Sequence, residues 1–104
     1  MIAWFTLAQS AFAADLVVGA GGSGTYTCEA GQNVGVEGSS LTITFNGDCG
    51  KLTVEGSMNK VTIDGVTSVR VEGSSNTVTW KRNLSGAAKL PVTKVGAGNK
   101  VKQG

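Results

Sequence analysis

"VEGSSNTVTW", Val71 to Trp80, is the third writing of a single pattern. "VEGSMNKVTI" occupies Val54 to Ile63 and "VEGSSLTITF" occupies Val36 to Phe45, so that Val36, Val54 and Val71 are equivalent and recur at a nearly constant period. "VGAGNKV", Val95 to Val101, repeats the pattern in shortened form. Self-similarity at a short, fixed period marks a chain that coils, each turn packing on its neighbours because no turn can bury its own apolar face alone.

Within a copy the apolar residues alternate. Leu52 and Val54 are followed, after "EGSMNK", by Val61 and Ile63; Val69 and Val71 are followed, after "EGSSNT", by Val78 and Trp80. A period of two means strand with one face buried. Each copy therefore holds two short strands separated by a Gly-Ser-x-Asn corner, and a second corner such as "DGVTS" (64–68) leads onward. Hairpins also satisfy the alternation, but equivalent residues recur only after two strands, which favours like strands lying side by side in parallel. The expected fold is all-β, a small parallel β-solenoid of the β-helix or β-roll kind. It should have about four to five turns, each of roughly 17–18 residues. Its core columns are Val34-Leu52-Val69, Val36-Val54-Val71, Ile43-Val61-Val78 and Phe45-Ile63-Trp80.

The corner residues agree. Gly38, Gly56, Gly73 and Gly96 recur where the chain must turn sharply. Asn59, Asn76 and Asn99 follow at a constant offset and can bond both corner backbone and one another, forming a ladder that Leu41 breaks in the first copy. A solenoid needs caps at its open ends. "DLVVGAGGSGTYTCEAG" (15–31) precedes the regular copies. "KRNLSGAAKLP" (81–91) stretches the spacing from Asn76 to Asn99 beyond that from Asn59 to Asn76, an insertion that places Pro91 and lysines near an edge.

At 104 residues the chain supports one small domain with a thin core, and its 16 glycines, 15% charged residues and absence of histidine fit strands joined by turns. "MIAWFTLAQSAFAA" (1–14) is apolar and ends in a small-x-small pattern, so 1–14 reads as a signal-peptide segment, truncated because the basic start is missing, and 15–104 as the domain. An apolar first strand or short helix of the fold is the alternative. The stretch is too short for a membrane span. Export fits the even cysteine count: Cys28 and Cys49 are expected to pair, closing a loop worth roughly 3 kcal/mol. Two thiols without histidine supply half a zinc shell, and no metal site is expected.

Charge is divided along the chain. Residues 73–104 carry a net +6 and the remainder −4. Lys81, Arg82, Lys89, Lys100 and Lys102 are therefore candidate contacts for an anionic envelope component.

Catalytic chemistry is sparse. No histidine is present for a Ser-His or Cys-His relay. Glu37, Glu55 and Glu72 form an outward row one strand apart, which reads as a solvated row offset by Lys51 and Arg70, and the Asp-rich repeats of calcium-binding rolls are absent. A paired-carboxylate glycosidase needs a groove that so few flat turns do not build. Thr42, Thr44, Thr62, Thr77 and Thr79 resemble the threonine arrays of ice-binding solenoids, but Lys60, Asp64 and Lys81 interrupt them and β-propensity accounts for them. "GAGGSG" (19–24) lacks the spacing of a phosphate loop and reads as a flexible linker. Tyr26 and Trp80 are too few for a nucleic-acid stacking platform.

The frame Val-x-Val-x-Gly-Ser-x-Asn-x-Val-x-hydrophobic, best seen in "NGDCGKLTVEGSMNKVTI" (46–63), resembles the bacterial domain of unknown function 3060. The resemblance runs from about Gly24 to Gly104 and departs from the pattern at Leu41. It implies an exported β-solenoid and carries no catalytic residues, and no cysteine follows the apolar leader as a lipoprotein would require. The expectation is a periplasmic or secreted, non-catalytic structural or surface-binding module without cofactor, specific nucleic-acid partner or transmembrane segment. The alternatives are a partner-binding domain using exposed strand edges and, behind it, a polysaccharide-acting enzyme.

Overall fold

The computed structural model describes residues 16–19 and 22–104; the segment 1–14, read as a truncated signal peptide, lies outside the described residues, as does Asp15. Nine strands follow in order: β1 Leu16–Val18, β2 Gly24–Thr27, β3 Gln32–Ser39, β4 Thr42–Ser57, β5 Lys60–Val66, β6 Ser68–Ser74, β7 Thr77–Asn83, β8 Val92–Val95 and β9 Lys100–Gln103. Every pairing is parallel. One face, sheet A, stacks β1, β3, the second half of β4, β6 and β8; the other, sheet B, stacks β2, the first half of β4, β5, β7 and β9. The described residues thus form a β-solenoid of about four turns, three rungs of it full and a shorter rung on either side of them. β4 belongs to both sheets because it bends without breaking at Gly47, whose φ of 94° only glycine adopts cheaply.

The registers place the expected columns in line and lengthen them. Leu16, Val34, Leu52, Val69 and Val92 form one; Val18, Val36, Val54, Val71 and Lys94 form the next. On sheet B, Ile43-Val61-Val78-Val101 and Tyr26-Phe45-Ile63-Trp80-Gln103 run in parallel to them. Val36, Phe45, Leu52, Val54, Val61, Ile63, Val71 and Val78 are 0% exposed, and each contributes about 1.5–3 kcal/mol of burial.

The ends are finished differently. At the N-terminal end Tyr26 lies tilted over Phe45, ring centres 5.9 Å apart. At the other end Lys94 and Gln103 stand at inward register positions, and Leu90, carried back by the 84–91 insertion, is buried there. Polar groups at inward positions of a last rung discourage further stacking. The insertion is pinned at both limits, Leu84 N donating to Val66 O at 2.8 Å and Val69 N to Pro91 O at 3.0 Å.

One expectation is corrected. The glycine run 19–24 does not link a leader to the fold: β1 already lies on β3 before it, and Gly24 opens β2, so the run joins two strands of the same first rung. Val18 sits one period of the repeat ahead of Val36, the signal by which this rung was legible.

Candidate binding surfaces

The corners show why the repeat contains the residues it does. A Cβ on Gly56 would meet Gly38 O at 1.7 Å, one on Gly73 would meet Gly56 O at 1.8 Å and one on Gly96 would meet Gly73 O at 1.9 Å, each at positive φ. With Gly38 at their head, these glycines let the backbones stack where any side chain would collide. The asparagines then satisfy the corner. Asn59 Oδ1 accepts from Leu41 N, Asn76 Oδ1 from Asn59 N and Asn99 Oδ1 from Asn76 N, at 3.0, 3.0 and 3.2 Å. Their amides donate to Gly38 O, Gly56 O and Gly73 O at 3.0, 3.0 and 3.1 Å. Leu41 is buried at the top of this ladder, donating its N–H to Asn59 and passing no side-chain bond on. These residues are structural: Asn59 and Asn76 are 1% and 0% exposed and present nothing to a ligand.

Cys28 and Cys49 form the expected disulfide, with Cα atoms 5.3 Å apart, fastening the end of the first rung to the β4 bend. Beside it Arg82 bridges two strands: Nε donates to Asp64 Oδ1 at 3.0 Å and Nη2 donates to Asp48 Oδ1. The guanidinium holds the Asp64 carboxyl below the usual carboxylate range, and the two carboxylates raise Arg82 in turn. Arg82 therefore leaves the set of candidate anion contacts, its charge already answered twice.

Of the other candidates, sheet B gathers three. Lys100 aligns with Thr77 and Lys102 with Thr79 on the outward face, and Lys81 alternates onto that face two residues beyond Thr79. Lys60, in line with Thr42 and Thr77, joins them. In the sequence it reads only as an interruption of the threonine array, although it shares the repeat position of Thr77 and Lys100. All four lysines are exposed, and among the described residues none is ion-paired. Lys89 is exposed but stands apart in the insertion. Between the lysines runs an unbroken column of hydroxyls, Thr25, Thr44, Thr62 and Thr79.

On sheet A, Glu37, Glu55 and Glu72 align in register as expected. Their offsets differ from expectation. Arg70 Nε donates to Glu72 Oε2 at 2.6 Å, whereas Lys51 pairs with no carboxylate among the described residues. Among the described residues no group of three or more His, Cys, Asp or Glu is arranged to hold a metal ion, and no helix is long and apolar enough to cross a membrane.

No curated protein and no solved structure matches the chain. A family model described as a protein of unknown function (DUF3060) matches residues 36–98, from Val36 in the middle of β3 to Gly98 in the corner after β8. The chain, an all-β parallel solenoid built on that repeat, belongs to the DUF3060 family.

Proposed function

We propose that this protein is an exported, non-catalytic module that binds an anionic component of the cell envelope through the outward face of sheet B. The observation that carries the proposal is the charge of that face. Lys60, Lys81, Lys100 and Lys102 lie on it without an ion pair among the described residues, with threonine hydroxyls between them, and its carboxylate Asp64 is held by Arg82. Each lysine near an anionic surface contributes about 1 kcal/mol, so four give weak, reversible, salt-sensitive attachment. Export is supported by the disulfide, a bond of oxidising compartments. A binding rather than catalytic role is supported by the lack of histidine and by cysteines spent in that bond.

The test is co-sedimentation with phosphatidylglycerol vesicles and with isolated cell-wall material, over a salt series from low to high ionic strength. Retention is expected at low salt and lost at high salt, and Lys60→Gln/Lys81→Gln/Lys100→Gln/Lys102→Gln should abolish it while leaving the circular dichroism spectrum unchanged. Retention that survives the quadruple substitution would overturn the proposal.

A second function is supported by β8 and β9, each paired on one side only among the described residues. A partner strand could add there. Monomeric behaviour with no captured strand peptide would remove that alternative.

A further inference from the structure

The outward face of sheet A carries a column Val17, Gly35, Thr53, Arg70, Thr93, in register from rung to rung. Every member but Gly35 has a side chain, and nothing in the fold demands its absence. Gly35 is not among the positive-φ residues, and a Cβ there would sit 3.6 Å from Val17 Cγ2 and 3.7 Å from Thr53 O, ordinary contact distances. The contrast with Gly56 and Gly73, where a Cβ would strike the backbone of the rung before, is complete. A glycine inside a strand costs about 0.5–1 kcal/mol relative to alanine, and one without a packing reason marks a place where something else approaches the backbone.

What Gly35 leaves open is a depression of about 210 Å³. Val17 and Thr53 wall it across the strands; Glu37 and Glu55 stand at one end and Lys51 at the other. The two glutamates are adjacent in register, their backbones about 4.8 Å apart by strand spacing, and neither is ion-paired among the described residues. Lys51 is equally unpaired, and its strand neighbour on the corner side, Asn33 Oδ1, is already accepting from Lys51 N at 2.9 Å. The next carboxylate in the row, Glu72, is answered by Arg70, so the unanswered charges of this face coincide with the depression. Lys51 and Glu55 lie four residues apart, about 13 Å along the strand, and their side chains can lean inward. The space is smaller than the roughly 300–1,000 Å³ of pockets that enclose drug-sized ligands.

We propose that this depression binds a short extended peptide of two or three residues by its two ends. The free amino group lies between Glu37 and Glu55, the free carboxylate meets Lys51, and the middle crosses Gly35 against the methyls of Val17 and Thr53. An open site with one charge-assisted contact set at each end gives a Kd of about 0.1–1 mM.

The experiment is an NMR titration of the full chain with trialanine, alongside N-acetyl-trialanine amide, which keeps the shape and loses both charges. Trialanine is expected to shift the amides of Val17, Gly35 and Thr53, with at least tenfold weaker binding for the blocked peptide. Gly35→Val fills the depression; it should leave thermal stability equal or higher and lose trialanine binding at least tenfold. Glu37→Gln/Glu55→Gln, on exposed side chains with no partner to orphan, should weaken binding at least fivefold and serves if Gly35→Val fails to fold. No shift at trialanine concentrations of about 10 mM, well above the expected Kd, equal binding of the blocked peptide, undiminished binding by a folded Gly35→Val, or undiminished binding by the double Gln variant would each overturn the proposal. So would shifts produced by calcium chloride and not by trialanine.

Discussion

Asn76→Ala tests the corner ladder at its middle. The Asn76 side chain is fully buried and makes three side-chain bonds: Oδ1 accepts from Asn59 N at 3.0 Å, and Nδ2 donates to Gly56 O at 3.0 Å and to Asn99 Oδ1 at 3.2 Å. Alanine leaves the Asn59 N–H and the Gly56 carbonyl without that partner in a corner closed to water. Each orphaned group costs about 1–3 kcal/mol, so the loss is about 3 kcal/mol, a large share of the roughly 5–15 kcal/mol typical of a domain. The melting temperature should fall by about 12–24 °C, at roughly 4–8 °C per kcal/mol. Asn99→Ala is the internal control: Asn99 is half-buried in the last corner, where water can replace it, and should cost about 1 kcal/mol. Asn76→Leu should behave like the alanine variant, because Leu41 works only at the head of the ladder, where no bond must be passed on. Urea unfolding followed by tryptophan fluorescence measures all three as shifts in midpoint at constant slope. If Asn76→Ala costs no more than Asn99→Ala, the ladder is decoration and the corners are held by the glycine stacking alone.

Met58 sits at φ 56° and is 61% exposed, at the corner position that Ser40, Ser75 and Gly98 fill in the other copies, so Met58→Gly should stabilise the fold by about 1 kcal/mol in the same urea assay. Reduction of Cys28–Cys49 should lower stability by about 3 kcal/mol, with amide exchange rising first in β1 and β2, the rung that the bond fastens. Asp64 titrates below its ordinary 3.8 when folded because Arg82 donates to it, so its contribution is complete above about pH 4 and is lost as pH falls through the lower folded value. Between about pH 4 and pH 2 the unfolding midpoint of Asp64→Asn should therefore fall less steeply than that of the parent chain.

The long columns were legible because their signal is local and repeated. Val36, Val54 and Val71 recur at a nearly constant period, and a parallel coil is the arrangement that stacks such residues, so alternation plus period specify strand, face and register together. The corner glycines and asparagines were legible for the same reason. The first rung was harder: Leu16 and Val18 keep the period, but the glycine run after them looks like a linker until β1 is seen lying on β3.

Charge partners and empty space were not legible. Arg82 lies far along the chain from both Asp48 and Asp64, and nothing in a list of basic residues separates it from Lys81, its neighbour in sequence. Only the stacking of β7 on β5 beside the β4 bend brings those carboxylates to the guanidinium and sets Arg82 apart from the unpaired lysines of the proposed binding face. Gly35 reads in sequence as one more glycine among 16. That it needs neither positive φ nor close packing appears only when Val17 and Thr53 are set on either side of it. The sequence by itself determined the repeat, the strands and the inward columns, because those rest on periodicity within single copies. Which charges are neutralised, and where the surface is hollow, depends on residues one or two turns apart, and only the tertiary structure decided that.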